Sequence, residues 1–387
     1  MECRGWKEIY GQERAVGFLA EALRRDEMPH ALVFTGPRGI GKSSTALLCA
    51  AALLCAAGEP DACPSCLKVA RKVHPDLHLL EPEGSHILID QVRDLEGELN
   101  IRPKESRCKV AIIDEAGTMN QEAANAFLKT LEEPPPDTFI ILVAESREEL
   151  LETVASRCHE VRFSALGKRD IEAFLVEEEG LDGAEAERLA RLSGGIFGRA
   201  LLWARSPEQA AHWGRGVELA ASLRRSSLLE ALEMAAAERE HINDVAREAN
   251  ARGAPLAPGS DELEAYVKAM DKRGGDLLRK RWEKREKREK QKRRGQAALD
   301  LFDGMSSFYR DIMLLNLMEE KGKGAGDAPL LNREWMEDLE REALHIGTEA
   351  AMRQLESLHR ARKAVEANVD IGLLLDSLVL EIKGLKG

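Results

Sequence analysis

The sequence is poor in aromatic residues and lacks a long hydrophobic segment. Phe, Trp and Tyr make up 4% of its 387 residues, whereas Ala, Leu, Glu and Arg are abundant. This composition favours helix. The most apolar stretch, residues 46–57, is too short to cross a bilayer and is interrupted by Cys and Gly. The composition therefore indicates a globular, helix-rich protein with no membrane-spanning helix.

An excess of positive charge is also missing. The formal net charge is −12, which excludes a protein that coats nucleic acid with its whole surface but allows a local basic patch. The N-terminal sequence has no signal-peptide pattern, so we expect a cytoplasmic location. In that compartment the seven cysteines are expected to be thiols or metal ligands rather than disulfides.

The first part of the chain alternates between buried strands and helices. Continuous apolar runs, typical of parallel strands, occur in four places: "ALVFT" (31–35), "LHLL" (77–80), "KVAIID" (109–114) and "FIILVA" (139–144). Helical patterns separate them, including one that begins at Asn120, a suitable N-cap residue. The alternation predicts an α/β domain with a parallel sheet.

The remainder of the chain is helical in pattern. We expect an α/β domain over residues 1–165, a small helical module over 166–205 and a separate helical domain over 206–387. Residues 240–297 exceed what that last domain requires, so we interpret them as a charged insertion. Within it, residues 277–295 contain eleven Lys and Arg against three Glu. This run predicts either a solvated, self-supporting helix or a contact for DNA phosphate or an acidic partner.

A phosphate-binding loop follows the first predicted strand. Gly36 to Ser43 satisfies the pattern G-x-x-x-x-G-K-[ST]. In this pattern backbone N–H groups and the start of a helix face a polyphosphate, the lysine contacts the β- and γ-phosphates, and the hydroxyl ligates Mg²⁺. The candidate nucleotide-binding residues are Gly36, Pro37, Arg38, Gly39, Ile40, Gly41, Lys42, Ser43 and Ser44. A glycine turn without a ligand is the alternative.

Two carboxylates end the third predicted strand. Asp114 can hold Mg²⁺ through water, and Glu115 can orient an attacking water molecule. We expect this strand to neighbour the one that carries the phosphate loop. The two motifs together predict a site for ATP and Mg²⁺, with Asp114 and Glu115 as candidate catalytic residues.

A cysteine cluster follows the phosphate-loop helix. Cys63 and Cys66 have the spacing of half a structural zinc site, and Cys55 is a candidate third ligand. A closed tetrahedral site needs a fourth ligand, for which the candidates are Cys49, Asp61 and His74. The alternative is a thiol pair in a surface loop.

Several motifs resemble the bacterial clamp-loader subunits of DNA polymerase III, which are AAA+ proteins. The matching sequences are "YGQERAV", "PHALVFTGPRGIGKSS", "CPSC" followed by "HPD", "NQEAANAFLKTLEEPPPDTFIILVAES" and "SRC" (156–158). The resemblance implies an AAA+ core over residues 1–165, a helical lid over 166–205 and a collar, or oligomerisation, domain over 206–387. It also implies a place in a ring of five subunits, with gamma/tau and delta as partners, that loads the sliding clamp on primed DNA.

The resemblance also implies roles for particular residues. Arg157 would act as an arginine finger in the ATP site of the adjacent subunit, and Arg199 would contact nucleotide bound to its own chain. The family carries zinc on a cysteine cluster in this region, but Pro60 stands here where one cysteine would fall. No carboxylate constellation indicates a polymerase active site in this chain.

Within the family the resemblance favours the delta prime subunit. "FYRDIMLLN" (308–316) and "ANVDIGLLLDSLVLEI" (367–382) are similar to its collar domain, and Ala144-Glu145 replaces the threonines that the gamma/tau motor subunit carries after the fourth strand. We therefore expect nucleotide binding with little hydrolysis. The gamma/tau motor subunit, favoured by the intact phosphate loop, and a stand-alone AAA+ DNA-repair ATPase are the alternatives.

Overall fold

The computed structural model describes residues 5–58, 60, 63–82, 86–248, 272–320, 322 and 328–384. The chain divides into two compact units, Met1–Arg205 and Ser206–Gly387. Each unit has its own buried core. Among the described helices, none combines the length and the apolar character that crossing a bilayer requires.

A five-stranded parallel sheet forms the centre of the first unit. The strands are β1 (Ala31–Thr35), β2 (Leu77–Leu80), β3 (Lys109–Ile113), β4 (Thr138–Val143) and β5 (His159–Arg162). Their order across the sheet is β2-β3-β4-β1-β5. In β1, Leu32 pairs with Ile141 of β4 and with His159 of β5. Every residue of β1 is buried, as its continuous apolar sequence predicted.

The predicted fold class, a parallel α/β core followed by helices, is confirmed. Two details differ from the sequence-based expectation. The fifth strand was not predicted, because "HEVR" (159–162) has a single apolar residue and three of its side chains are not buried. The strand that carries Asp114 does not neighbour β1, because β4 lies between them.

Helices cover both faces of the sheet. The helices of the α/β core are α1 (Glu13–Arg24), α2 (Lys42–Leu54), α3 (Pro64–Ala70), α4 (Ile89–Leu99), α5 (Gln121–Glu132) and α6 (Glu152–Ala155). Residues of α1–α3 share one core cluster with Leu32 and Phe34, whereas residues of α4–α6 share the other with Ala31 and Val33. Successive residues of β1 thus face opposite layers. Asn120 caps α5 as predicted, because its side chain accepts the N–H of Ala123 at 2.8 Å.

Three more helices complete the first unit. They are α7 (Lys168–Glu177), α8 (Gly183–Leu192) and α9 (Phe197–Arg205). We refer to them as the lid helices, after the helical lid that the sequence resemblance implies. Short 3₁₀ turns occur at Gly5–Glu8, Ala116–Thr118 and Arg147–Glu149.

The described part of the second unit is helical. It contains α10 (Pro207–Leu223), α11 (Leu228–Glu248), α12 (Lys272–Glu320), α13 (Met336–Ala343), α14 (Thr348–Glu366) and α15 (Ile371–Ile382), with a 3₁₀ turn at Arg333–Trp335. Phe302, Phe308 and Tyr309 of α12 are among its most deeply buried side chains. Of the predicted insertion, residues 249–271 lie outside the described part of the chain.

Candidate nucleotide and metal sites

The phosphate loop joins β1 to α2 and depends on Gly36. This residue has a φ of +145°, and a Cβ built on it would lie 2.5 Å from the carbonyl oxygen of Phe163. Its N–H donates to the carbonyl of Glu145 at 3.0 Å. The loop is therefore anchored to the ends of β4 and β5 at a position that only glycine can occupy.

Lys42 is largely buried, with 7% of its surface exposed. Its ammonium donates to the carbonyls of Gly36 and Pro37, the latter at 2.8 Å. Burial lowers the pKa of Lys42, and the carboxylates of Glu145, Asp114 and Glu149 partly oppose this shift. The lysine of the motif is thus bonded to its own loop and lies among acidic side chains.

The structure brings Ser43 and Asp114 together. The Ser43 hydroxyl donates to a carboxylate oxygen of Asp114 at 3.1 Å. Ser43 follows β1 and Asp114 follows β3, and β4 lies between these two strands. The hydrogen bond therefore crosses the end of β4. A hydroxyl and a carboxylate at this distance suit Mg²⁺, which prefers oxygen ligands and retains several waters.

Glu115 forms an ion pair with another predicted site residue. Its carboxylate lies 3.5 Å from the guanidinium of Arg38, and both side chains are about half exposed. Glu115 has a φ of +50°, and its N–H donates to the Asp114 carboxylate at 3.0 Å. Of the other loop residues, Ile40 is in the core, whereas Ser44 is exposed.

Glu149 is a member of this site that the sequence did not indicate. Its carboxylate accepts the N–H of Glu145 at 3.0 Å and lies against Gly117, where a Cβ would be 2.8 Å away. Both glutamates influence Lys42 electrostatically. The sequence around Glu149 carries no recognisable motif, so the proximity of Glu145 and Glu149 is visible only in the folded chain.

The lid helices touch the phosphate loop. The N–H of Gly198, at the start of α9, donates to the carbonyl of Gly39 at 3.0 Å. Arg199 follows directly, and its guanidinium carbon lies 5.7 Å from the centre of the Trp203 ring. The structure therefore places Arg199 on the helix that contacts the loop, with a cation–π contact inside that helix.

Arg157 lies between α6 and β5. Its Nε donates to the Glu132 carboxylate at 2.8 Å, Nη2 contacts the same oxygen, and Nη1 donates to the carbonyl of Thr153 at 2.8 Å. About a third of the Arg157 side chain and half of that of Glu132 are exposed. The guanidinium is thus held at the surface by its own chain, and these bonds do not involve the phosphate loop.

The three candidate zinc ligands lie together. Cys55 follows α2 directly, and Cys63 is the N-cap of α3, which contains Cys66. The Sγ atoms of Cys55 and Cys63 are 3.7 Å apart, and those of Cys63 and Cys66 are 3.5 Å apart. Tetrahedral zinc with Zn–S bonds near 2.3 Å separates its sulfurs by about 3.8 Å. The thiols therefore fit three corners of a zinc site.

Two of the fourth-ligand candidates lie elsewhere. Among the described residues, no further Cys, His, Asp or Glu joins the three thiols. His74 bonds through Nε2 to the Ser65 hydroxyl at 2.9 Å, and its Nδ1 accepts the N–H of Asp76 at 3.1 Å. Cys49 is fully buried, and burial raises its pKa to about 12. Asp61 lies outside the described residues.

Comparison with known proteins gives a family-model match that lies within the first unit. The family model described as "DNA polymerase III, delta subunit" matches residues 11–167. The chain is 38% identical over 178 residues to the DNA polymerase III subunit delta' of Bacillus subtilis, covering 45% of this chain and 54% of that protein. It is 36% identical over 198 residues to the subunit gamma/tau of Mycobacterium bovis, covering 49% of this chain and 34% of that protein.

The solved structures include a DNA polymerase III gamma subunit-related protein from Thermotoga maritima. It has a TM-score of 0.43 and 19% sequence identity, and the match covers 95% of this chain and 98% of that one. The chain spans about half the length of the matching delta' protein and about a third of that of gamma/tau. Residues 11–167 are thus similar to a family model of DNA polymerase III, and part of the chain is similar to the delta' and gamma/tau subunits of that enzyme.

Proposed function

We propose that this chain is a delta prime subunit of the DNA polymerase III clamp loader. In this role it joins gamma/tau and delta subunits in a ring, helps to load the sliding clamp on primed DNA and lends Arg157 to the ATP site of a neighbour. The proposal rests mainly on the 38% identity to the B. subtilis delta' protein, with the family model as support. Any polymerase activity belongs to the larger assembly.

The position of Arg157 supports the arginine-finger role. A guanidinium beside a transferring γ-phosphate offsets the charge that develops there, and a neighbouring chain can supply it. Arg157 is partly exposed, and its bonds to Glu132 and Thr153 hold it at the surface. A residue with this task must be presented outward and kept ordered, and both conditions are met.

The chain's own phosphate loop suits binding better than turnover. Lys42, Ser43 and Asp114 would hold ATP and Mg²⁺, with the loop N–H groups around the phosphates and Arg199 approaching from α9. The negative charges of Glu145 and Glu149 lie close enough to affect Lys42, and carboxylates there repel a γ-phosphate. We infer that ATP can be bound and is hydrolysed slowly.

The cysteine cluster would hold Zn²⁺ in a structural role. Cys55, Cys63 and Cys66 would supply three thiolates, since their Sγ atoms all lie within 4.8 Å of one another and two of the pairs are 3.7 and 3.5 Å apart. A metal at this position would join the end of α2 to the start of α3. Because α2 begins at the phosphate loop, the metal would stabilise the same layer of the α/β core.

A gamma/tau motor subunit is the second candidate. The complete phosphate loop and the Ser43–Asp114 bond at 3.1 Å favour it, as does the 36% identity to a gamma/tau protein. Purified chain alone separates the two functions. A motor subunit would hydrolyse ATP with a turnover that Lys42→Ala abolishes, whereas a delta prime subunit would bind ATP with little turnover.

The finger role is tested in the ring reconstituted with delta and gamma/tau subunits. Arg157→Ala should lower ATP turnover at the site it serves by about 10³-fold and slow clamp loading, because a finger contributes about that much. Arg157→Lys should recover little, since a lysine lacks the planar guanidinium. Arg162→Ala is the matched control, because Arg162 is a more exposed arginine on β5. Equal activity of the Arg157 and Arg162 variants would exclude the finger role.

A further inference from the structure

The three-thiol cluster contains one cysteine that solvent can reach. Of the six described cysteines, Cys63 alone is partly exposed, and the others are buried. Within the cluster, Cys55 is 2% exposed and Cys66 is fully buried. Because reaction at a cysteine requires access to its sulfur, a reagent dissolved in water would meet Cys63 first.

A second sulfur is in contact with that of Cys63. The Sγ atom of Cys66 lies 3.5 Å from it, whereas the Sγ atom of Cys55 lies 3.7 Å from it. The N–H of Cys66 also donates to the Sγ atom of Cys63 at 3.4 Å, so backbone and side chain are both adjacent. Sulfurs this close need only a small side-chain movement to reach bonding distance.

Hydrogen bonds that involve none of these sulfurs hold the cysteine-bearing segments together. The hydroxyl of Ser65, which precedes Cys66, donates to the carbonyl of Leu54 at 3.1 Å. Leu54 in turn directly precedes Cys55. Ser65 is also bonded to Nε2 of His74 at 2.9 Å. These polar contacts join the end of α2 to the start of α3, so the thiols stay within reach of one another whether or not they hold a metal.

Burial makes the cysteines outside the cluster poor reactants. It raises the pKa of Cys49 and of Cys158 to about 12, and that of Cys108 to about 11. Their thiols therefore stay protonated near neutral pH, whereas the thiolate is the form that attacks a disulfide. A thiol that ligates zinc is deprotonated by the metal. Access and protonation state thus both direct oxidation to the cluster.

We propose that Cys63 and Cys66 form a thiol–disulfide exchange site for low-molecular-weight disulfides. The Cys63 thiolate attacks one sulfur of the small disulfide, forms a mixed disulfide and releases a small thiolate, which takes a proton from water. The Cys66 thiolate then attacks the Cys63 sulfur, forms the Cys63–Cys66 disulfide and releases the second small thiolate. Two electrons pass from the two cysteine sulfurs to the small disulfide. A metal held by the cluster would leave, because two of its three cysteine ligands would be lost.

The exchange site extends beyond the proposed function, because it needs neither the phosphate loop nor a partner subunit; only the release of zinc rests on the proposed metal site. The test uses the purified full-length chain, loaded with zinc, and oxidised glutathione as the small disulfide. Alkylation followed by peptide mass spectrometry locates the modified cysteines, and a chromogenic chelator follows released zinc. We expect glutathione on Cys63 at short times, then a Cys63–Cys66 disulfide with release of about one equivalent of zinc. Dithiothreitol with added zinc should reverse both changes.

Two variants separate the attacking thiol from the resolving one. Cys66→Ser should keep the mixed disulfide between Cys63 and glutathione, and Cys63→Ser should take up glutathione at the cluster no faster than at the buried Cys158. Cys158→Ser is the matched control and should form the Cys63–Cys66 disulfide at the wild-type rate, because Cys158 is outside the cluster.

An unmodified cluster, first attack at Cys66, a disulfide between Cys55 and Cys63, or equal behaviour of the Cys63→Ser and Cys158→Ser variants would each overturn the proposal. The early modification of the wild-type chain gives this answer even if a variant fails to fold. A chain that forms the Cys63–Cys66 disulfide without ever holding zinc would exclude the metal site and support the exchange site, so the two proposals fail separately.

Discussion

The contact between the lid helices and the phosphate loop allows a sharp test with one methyl group. The N–H of Gly198 donates to the carbonyl of Gly39 at 3.0 Å, and a Cβ on Gly198 would lie 2.4 Å from that same oxygen. The obstacle is a backbone atom, so Gly198→Ala must push α9 away from the loop. We expect the lid helices to open more often and nucleotide binding to weaken.

The size of the effect follows from three contributions. Overpacking of a methyl group costs about 1–3 kcal/mol, and loss of the backbone hydrogen bond costs about 0.5–1.5 kcal/mol. Alanine returns up to about 1 kcal/mol through its helix propensity. With the full contribution of alanine subtracted, we expect a net loss of about 0.5–3.5 kcal/mol in the free energy of lid opening, or about 2- to 400-fold faster amide exchange in α9.

Hydrogen exchange measured by mass spectrometry provides the assay, with α9 and β1 peptides compared in one experiment. Local opening accelerates exchange in α9 more than in β1. Gly183→Ala is the control, because Gly183 begins the lid helix α8 and has open space where its Cβ would be. If the Gly198 and Gly183 variants exchanged alike, the contact would not hold the lid helices.

Two further predictions concern the metal site and the second unit. Cys63→Ser should reduce bound zinc from one equivalent to a small fraction, measured by elemental analysis after dialysis. Cys49→Ser should retain the zinc, because Cys49 is outside the thiol cluster. Equal zinc content in the two variants would contradict the assignment. Burial, with the nearby His241 and Arg215, lowers the pKa of His212. As the pH falls below about 6.5, the His212 imidazole is therefore protonated in the unfolded state before it is protonated in the folded state. The free energy of unfolding of the second unit should decrease over this pH range. In urea unfolding, His212→Gln should make that free energy less dependent on pH. An unchanged slope would show that His212 does not cause it.

The sequence was most informative where chemistry and local structure coincide. The strand and the helix that flank the glycine-rich loop, and the Asn120 cap, all follow from neighbouring residues, and each occurs where predicted. The thiols of the Cys63–Cys66 pair approach one another because both residues begin the same helix. In each case a few adjacent residues carry the whole signal.

The remaining features depend on contacts between distant residues. The interposition of β4 between β1 and β3 is a property of sheet order, which local patterns do not encode. Strand β5 gains its hydrogen bonds from β1 rather than from a strongly apolar sequence. Glu149 joins the phosphate site, and Glu132 holds Arg157, only through the folded chain.

The pairing of Arg157 with Glu132 bears on the kinetics of assembly. An unrestrained arginine side chain has about 2 kcal/mol of rotamer entropy to lose when it is immobilised. Here two of its nitrogens are already bonded to Glu132 and a third to the carbonyl of Thr153, so much of that ordering accompanies folding. If Arg157 serves a neighbouring subunit as proposed, that subunit would meet a side chain close to one geometry, and little conformational search would remain after encounter.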